Sequence, residues 1–204
     1  MAISKLKPRH ASEGRSIAAV LKDRLDYDKN PEKTDGGLLV TGYQCSPDTA
    51  WQEFAVSKQI YTATTGRKRA PDQDVISYLI IQSFEPGTIT PEDANKLGYK
   101  LALEFTGGEH QFIVATHVDK KHIHNHIEFN STALDCSHKF NNVKNSFLPL
   151  GRWRNLRQQG RYPCFPYLRI HHKAASTIRL RSAVWDCSLR GFQFSYRSCR
   201  ARYA

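Results

Sequence analysis

The stretch "HQFIVATHVDKKHIHNHIEFN", residues 110–130, restricts this chain more than any other segment. Two runs of apolar, β-branched and aromatic residues flank the charged turn Asp119–Lys121, a pattern that predicts a β-hairpin. Residues two apart on a strand share a face, so His122, His124 and His126 line one side and the hairpin returns His117 beside them. His117, His124 and His126 can thus converge on one point. Three neutral imidazoles leave open positions on a metal, as a catalytic site requires. Asp119, at the turn, is placed to accept the second ring N–H of a liganding histidine. The alternative is a solvated polar strand that happens to be rich in His. Against it, Ile113, Ala115, Ile123, Ile127 and Phe129 imply that both faces are partly buried, where unpaired imidazoles are costly.

The segments before the hairpin alternate in type. "SEGRSIAAVLKDRLDY" carries Ile17, Val20, Leu21 and Leu25 near helical spacing and predicts a helix ending close to Tyr27. "NPEKTDGG" reads as a loop and "LLVTGYQC" as a short strand. In "SPDTAWQEFAVSKQIY" a second helix is expected, with Ser46 as N-cap and Pro47 at its first position. "TGRKRAPDQD" is a basic loop, and "VISYLIIQSF" is a buried strand. The next helix has Thr90 as cap, Pro91 at the first position, acids in the first turn and paired glycines at its end. Gly98 weakens it. The order αβαβαββ predicts an α+β fold, an antiparallel central sheet with helices packed on one face.

Charge divides the chain in two. The net charge of +11 suggests a polyanionic partner, yet residues 1–148 hold 18 basic and 18 acidic residues, so the excess lies wholly beyond them. Residues 149–204 hold 12 basic residues and one acid, 11 of the 12 being Arg. Five Cys without CxxC spacing argue against a disulfide framework or a zinc knuckle. With no long apolar run and no apolar leader, the expectation is a cytoplasmic protein without membrane insertion.

His117-x-Asp119, four residues, His124-x-His126, three residues, Asn130 resembles the third motif of conjugative and mobilization relaxases of the HUH endonuclease superfamily, most closely the P type. "LDYDKNPEKTDGGLLVTGYQC" resembles their first motif and "YLIIQSFEPGTITPEDA" their second. The resemblance runs from about residue 15 to residue 148. It implies an HUH relaxase-like fold related to the split βαβ, in a bacterial protein. It further implies site-specific nicking of one DNA strand at a plasmid or integrative-element transfer origin. Tyr27 would be the nucleophile, leaving a 5′ phosphotyrosine and a free 3′-OH, with Tyr43 as its rival. By the same resemblance His117, His124 and His126 hold Mg2+ or Mn2+, Asp119 eases the proton from Tyr27, and Ser83 contacts DNA near the nick. His122 and Asn130 would support the site. Arg67, Lys68 and Arg69 are candidates to follow the DNA backbone, and the implied partners are single-stranded or hairpin origin DNA, accessory relaxosome proteins and a coupling protein.

Two other functions stay open at this level. One is a domain that grips hairpin DNA without cutting it. The other is a histidine-triad-like nucleotide hydrolase, whose pattern has a hydrophobic residue where Asn125 stands. The expected division is a nuclease domain over 1–148, incomplete at its C-terminal end, and an atypical Arg- and Cys-rich tail over 149–204. An abrupt change of composition after Leu148 is what a shifted reading frame produces. A DNA-binding arm using Trp153, Tyr162 and Phe165 is the alternative.

Overall fold

The computed structural model describes residues 3–142. The tail over 149–204, and with it Trp153, Tyr162 and Phe165, lies outside the described residues. Eight elements follow in the order β1 (Ile3–His10), α1 (Ile17–Asp28), β2 (Val40–Tyr43), α2 (Ala50–Thr65), β3 (Val75–Ser83), α3 (Pro91–Thr106), β4 (Phe112–His117) and β5 (His124–Asn130). The strands form one sheet in the order β1-β3-β5-β4-β2, with every neighbouring pair antiparallel. The α+β class and the central hairpin match the expectation. Among the described residues no helix is long and apolar enough to cross a membrane.

β1 is the element that sequence reasoning missed. It is an edge strand, so Pro8 removes no hydrogen bond that the sheet interior needs. Among its described side chains Leu6 is the one buried apolar residue, while Lys5, Lys7 and Pro8 are exposed. The alternation that normally reveals a strand is therefore almost absent.

Helices cover both faces of the sheet, where one covered face was expected. Val20, Leu21 and Leu25 of α1 and Phe54 and Ala55 of α2 pack with Ile113 and Ile76 on one face. Leu101 and Ala102 of α3 pack with Tyr78, Ile80, Phe112, Val114, Ile127 and Phe129 on the other. Paired positions such as Ile80 and Ile127 in β3 and β5 are fully buried and bring the two central strands' apolar rows together. Burial of each such side chain contributes about 1.5–3 kcal/mol.

Helix ends follow the sequence in two cases and depart from it in one. Ser16 Oγ accepts the Ala19 N–H and starts α1 at Ile17, and Thr90 Oγ1 accepts the Asp93 N–H at the start of α3. α2 begins after Thr49, not at Ser46. Ser46 and Thr49 instead close a turn (Thr49 N–H to Ser46 O, 3.1 Å), and Glu53 Oε1 accepts both the Ser46 N–H (3.1 Å) and the Thr49 hydroxyl (2.7 Å). The acid one turn into the helix draws the cap downstream of Pro47.

Gly98 has a packing reason. A Cβ there would sit 2.5 Å from Asn125 Nδ2 and 2.8 Å from Val114 Cγ1. The missing side chain lets α3 lie close against β4 and β5.

Candidate active site

The face under α1 and α2 carries the histidines at one end of the sheet. His117 closes β4 and pairs with His124, which opens β5, and Ala115 pairs with His126. The three imidazoles that the alternation predicted to meet do so: one ring nitrogen from each of His117, His124 and His126 lies within 4.8 Å of the others. His117 and His124 are buried and His126 nearly so. Burial pushes all three titrations down, those of His124 and His126 to about 4, so the rings are neutral near pH 7.

Neutral imidazoles are the form that binds a metal, and the contacts of this cluster fix which nitrogen each ring offers. The His126 Nδ1–H donates to Asp28 Oδ1 at 2.7 Å, and the His117 Nε2–H donates to the Asp28 carbonyl at 2.7 Å. The His124 Nδ1–H donates to the His122 carbonyl at 3.3 Å. Nδ1 of His117 and Nε2 of His124 and His126 are left as the donor atoms. Three clustered neutral rings, each with one nitrogen engaged and one free, fit a divalent cation that keeps open positions.

Asp28 occupies the place that the sequence suggested for Asp119. It ends α1, is fully buried, and holds two of the three rings, one through its carboxylate and one through its carbonyl. Behind it lie Glu128 and Arg9, with Arg9 Nη2 3.6 Å from Asp28 Oδ2 and Arg9 Nε 3.0 Å from Glu128 Oε2. The Ser77 hydroxyl donates to Glu128 Oε1 at 2.5 Å. Burial raises both carboxyls against the pull of Arg9, Glu128 to about 7, where the Asp28 charge adds to the effect of burial. Asp119 is exposed on the turn two residues beyond His117.

The other candidates separate by position. Tyr27 immediately precedes Asp28, is 59% exposed, and has its ring centre 6.5 Å from that of His126. Tyr43 is at the far end of the β2–β4 pairing, opposite Phe112, stacked on that ring at 5.0 Å and donating its hydroxyl to Gly108 O. Ser83 pairs with His124 and so lies beside the cluster on the neighbouring strand. His122 touches the site through its carbonyl, with its ring 5.3 Å from that of His124. Asn130 is at the other end of β5, four residues from His126 or roughly 13 Å along the strand. It donates to Gln111 Oε1 and accepts the Thr132 N–H, which shapes the exit from β5. Arg67, Lys68 and Arg69 are exposed on the loop that enters β3 at Val75, the end opposite Ser83.

On the reverse face a buried polar network backs the hairpin. Thr116, next to His117, donates its hydroxyl to Asn125 Oδ1 at 2.7 Å, and Asn125, between His124 and His126, donates to Gln82 Oε1 and Ala94 O. Asn95 of α3 donates to Thr116 Oγ1 and Leu39 O. Polar residues that alternate with the histidines thus lock the register of the strands that present them.

Comparison with known proteins decides what this arrangement belongs to. The family model "Relaxase: MobA/VirD2-like, nuclease domain" matches residues 27–157, more than half of the chain. The chain belongs to the MobA/VirD2-like relaxase nuclease family. Among curated relatives, the group II intron-interrupted relaxase LtrB of Lactococcus lactis subsp. cremoris is 37% identical to this relaxase domain over 139 residues. That match covers 59% of this chain and 24% of LtrB. Protein rlx of Staphylococcus aureus is 40% identical over 100 residues, 49% of this chain and 28% of rlx. The relaxase domain described here thus corresponds to about a quarter of the length of these relatives. The matched region begins at Tyr27 and takes in all three clustered histidines.

Proposed function

We propose that this relaxase domain nicks one strand of DNA at a plasmid or integrative-element transfer origin, with Tyr27 as the nucleophile. The observation that carries the reading is the pairing of Tyr27 with Asp28. A solvent-exposed phenol is followed directly by the residue that holds His117 and His126 in place. Nucleophile and histidine cluster are thereby coupled through a single helix end.

In this mechanism Tyr27 Oη forms a new bond to phosphorus and the bond from phosphorus to the 3′ oxygen breaks. The phenolic proton passes to Asp119, which His122 helps to orient, and the departing 3′ oxygen takes up a proton as the free 3′-OH. The product is a 5′ phosphotyrosine that keeps the phosphodiester energy for later rejoining. His117, His124 and His126 would hold Mg2+ or Mn2+, which supplies polarisation of the scissile phosphate. Ser83, beside His124, contacts DNA near the nick, while Arg67, Lys68 and Arg69 reach only strand that lies away from it. Single-stranded or hairpin origin DNA is the substrate, and accessory relaxosome proteins with a coupling protein are the partners.

Incubating the 204-residue chain with single-stranded oligonucleotides that tile the DNA flanking its own gene, in Mn2+ or Mg2+, tests this. A protein–DNA adduct that survives denaturation, with a 3′-OH that a polymerase extends, is the expected result. Retention of DNA without any adduct would sink the nicking reading and leave DNA binding alone.

A further inference from the structure

Lys33 lies in the loop that joins Tyr27 to the histidine cluster, inside the stretch that resembles the first relaxase motif, and the proposed reaction gives it no role. Its ammonium sits 3.8 Å from the centre of the Tyr27 ring. The position is built from both sides. The Lys33 N–H donates to Asn30 O at 2.9 Å, tying it to the end of α1, and its carbonyl accepts the Val118 N–H at 2.8 Å, tying it to the residue after His117. Thr34, buried beside it, turns its hydroxyl back to the carbonyls of Lys29 and Asn30.

The charge is felt by the buried Asp28 carboxyl and by His126, but among the described residues it has no direct ion-pair partner. Asp26 pairs with Lys22 and Lys29, whereas among the described residues no carboxylate lies within ion-pairing distance of Lys33. An ammonium above a phenol ring is attracted by the ring face. The phenolic oxygen belongs to that same ring, so a phosphodiester attacked there would bring its non-bridging oxygens toward the ammonium. A compact point charge with three donors suits that contact.

We infer that Lys33 is a further catalytic residue of this domain, one that holds the face of the Tyr27 ring and receives a non-bridging oxygen of the scissile phosphate. The inference rests on Tyr27 being the nucleophile.

The test uses the 204-residue chain, the oligonucleotide that gives the strongest adduct, and Mn2+. Lys33→Gln should slow single-turnover adduct formation on the order of 100-fold, the usual cost of one lost donor to a developing anionic oxygen. Lys33→Arg should restore most of that loss. Mn2+ affinity measured without DNA should stay within about twofold in both variants, because the contact is to phosphate and not to the ligands. In a Tyr27→Phe background, which keeps the ring, Lys33→Gln should lower the salt-dependence slope of DNA binding by about 0.7, the share of one phosphate contact on a single strand. An adduct rate within threefold of the parent overturns the inference. So does a loss of rate matched by an equal loss of Mn2+ affinity, which would mark Lys33 as a brace for the loop. Absence of any adduct with the parent chain would instead remove the reading on which the inference stands.

Discussion

Asp28 accepts the Nδ1–H of His126 at 2.7 Å, across a separation of 98 residues. The same residue's carbonyl holds His117, so the end of α1 sets the geometry of two ligands at once. Replacing Asp28 by Asn should weaken Mn2+ binding roughly 10–100-fold, the usual cost of losing an outer partner of a liganding His. His122→Ala should leave the affinity within about twofold, since His122 meets the site through its backbone. Mn2+ titration by electron paramagnetic resonance checks both. Equal affinities for the parent and the Asp28 variant would contradict the role given to Asp28.

Gly98→Ala opposes two effects of comparable size. Helix propensity favours Ala by about 1 kcal/mol. Its Cβ, however, would sit 2.5 Å from Asn125 Nδ2, and overpacking at such a point costs about 1–3 kcal/mol. The substitution should therefore lower unfolding stability in urea by up to about 2 kcal/mol, and should disturb the register that Asn125 helps to fix. A gain in stability would show that α3 does not press against β5 as described.

Asp74 gives a prediction for pH. It accepts Lys58 Nζ and Lys139 Nζ at Oδ1, each at 2.8 Å. Burial alone would raise its titration, but the hydrogen bonds and charges of Lys139 and Lys58 hold it below the usual value. The sign follows: a depressed carboxyl stabilises the fold above its unfolded pKa of about 3.9 and loses that contribution as pH falls through the folded value. Asp74→Asn should cost about 3 kcal/mol at pH 7, the lower end for breaking a buried pair, because Lys139 keeps partial access to water. The difference from the parent should shrink steadily below pH 4. A difference that is constant from pH 7 to pH 3 would contradict the ion-pair account.

The histidine cluster was legible because a strand's period of two announces itself when identical residues repeat at that period. Its supports were not. Asp28 follows the proposed nucleophile at a helix end, where an acid reads as surface, and only the closing of β4 and β5 over α1 buries it. Arg9 was hidden with β1, an edge strand that among its described side chains buries one apolar residue, Leu6. Glu128 offered a signal that could have been used. It continues the row of His124 and His126 and is flanked by the apolar Ile127 and Phe129, so an acid there had to be buried and partnered. Asn125 looked like a flaw in a histidine-triad pattern, yet it is the centre of the polar network that backs the hairpin. Asn130 shares the motif's spacing but stands at the far end of β5, where its bonds to Gln111 and Thr132 serve the turn.

Tyr27 and Tyr43 have been given opposite roles, one exposed beside the histidines and the other stacked on Phe112 at the far end of β4. Intact-mass and peptide-level mass spectrometry of the chain after incubation with origin-region single strands and Mn2+ tests that division most directly. The account predicts an added mass equal to the 5′-phosphorylated product strand less one water, carried by the peptide containing Tyr27, abolished in Tyr27→Phe and retained in Tyr43→Phe. An adduct on Tyr43, or one that persists in Tyr27→Phe, would contradict it.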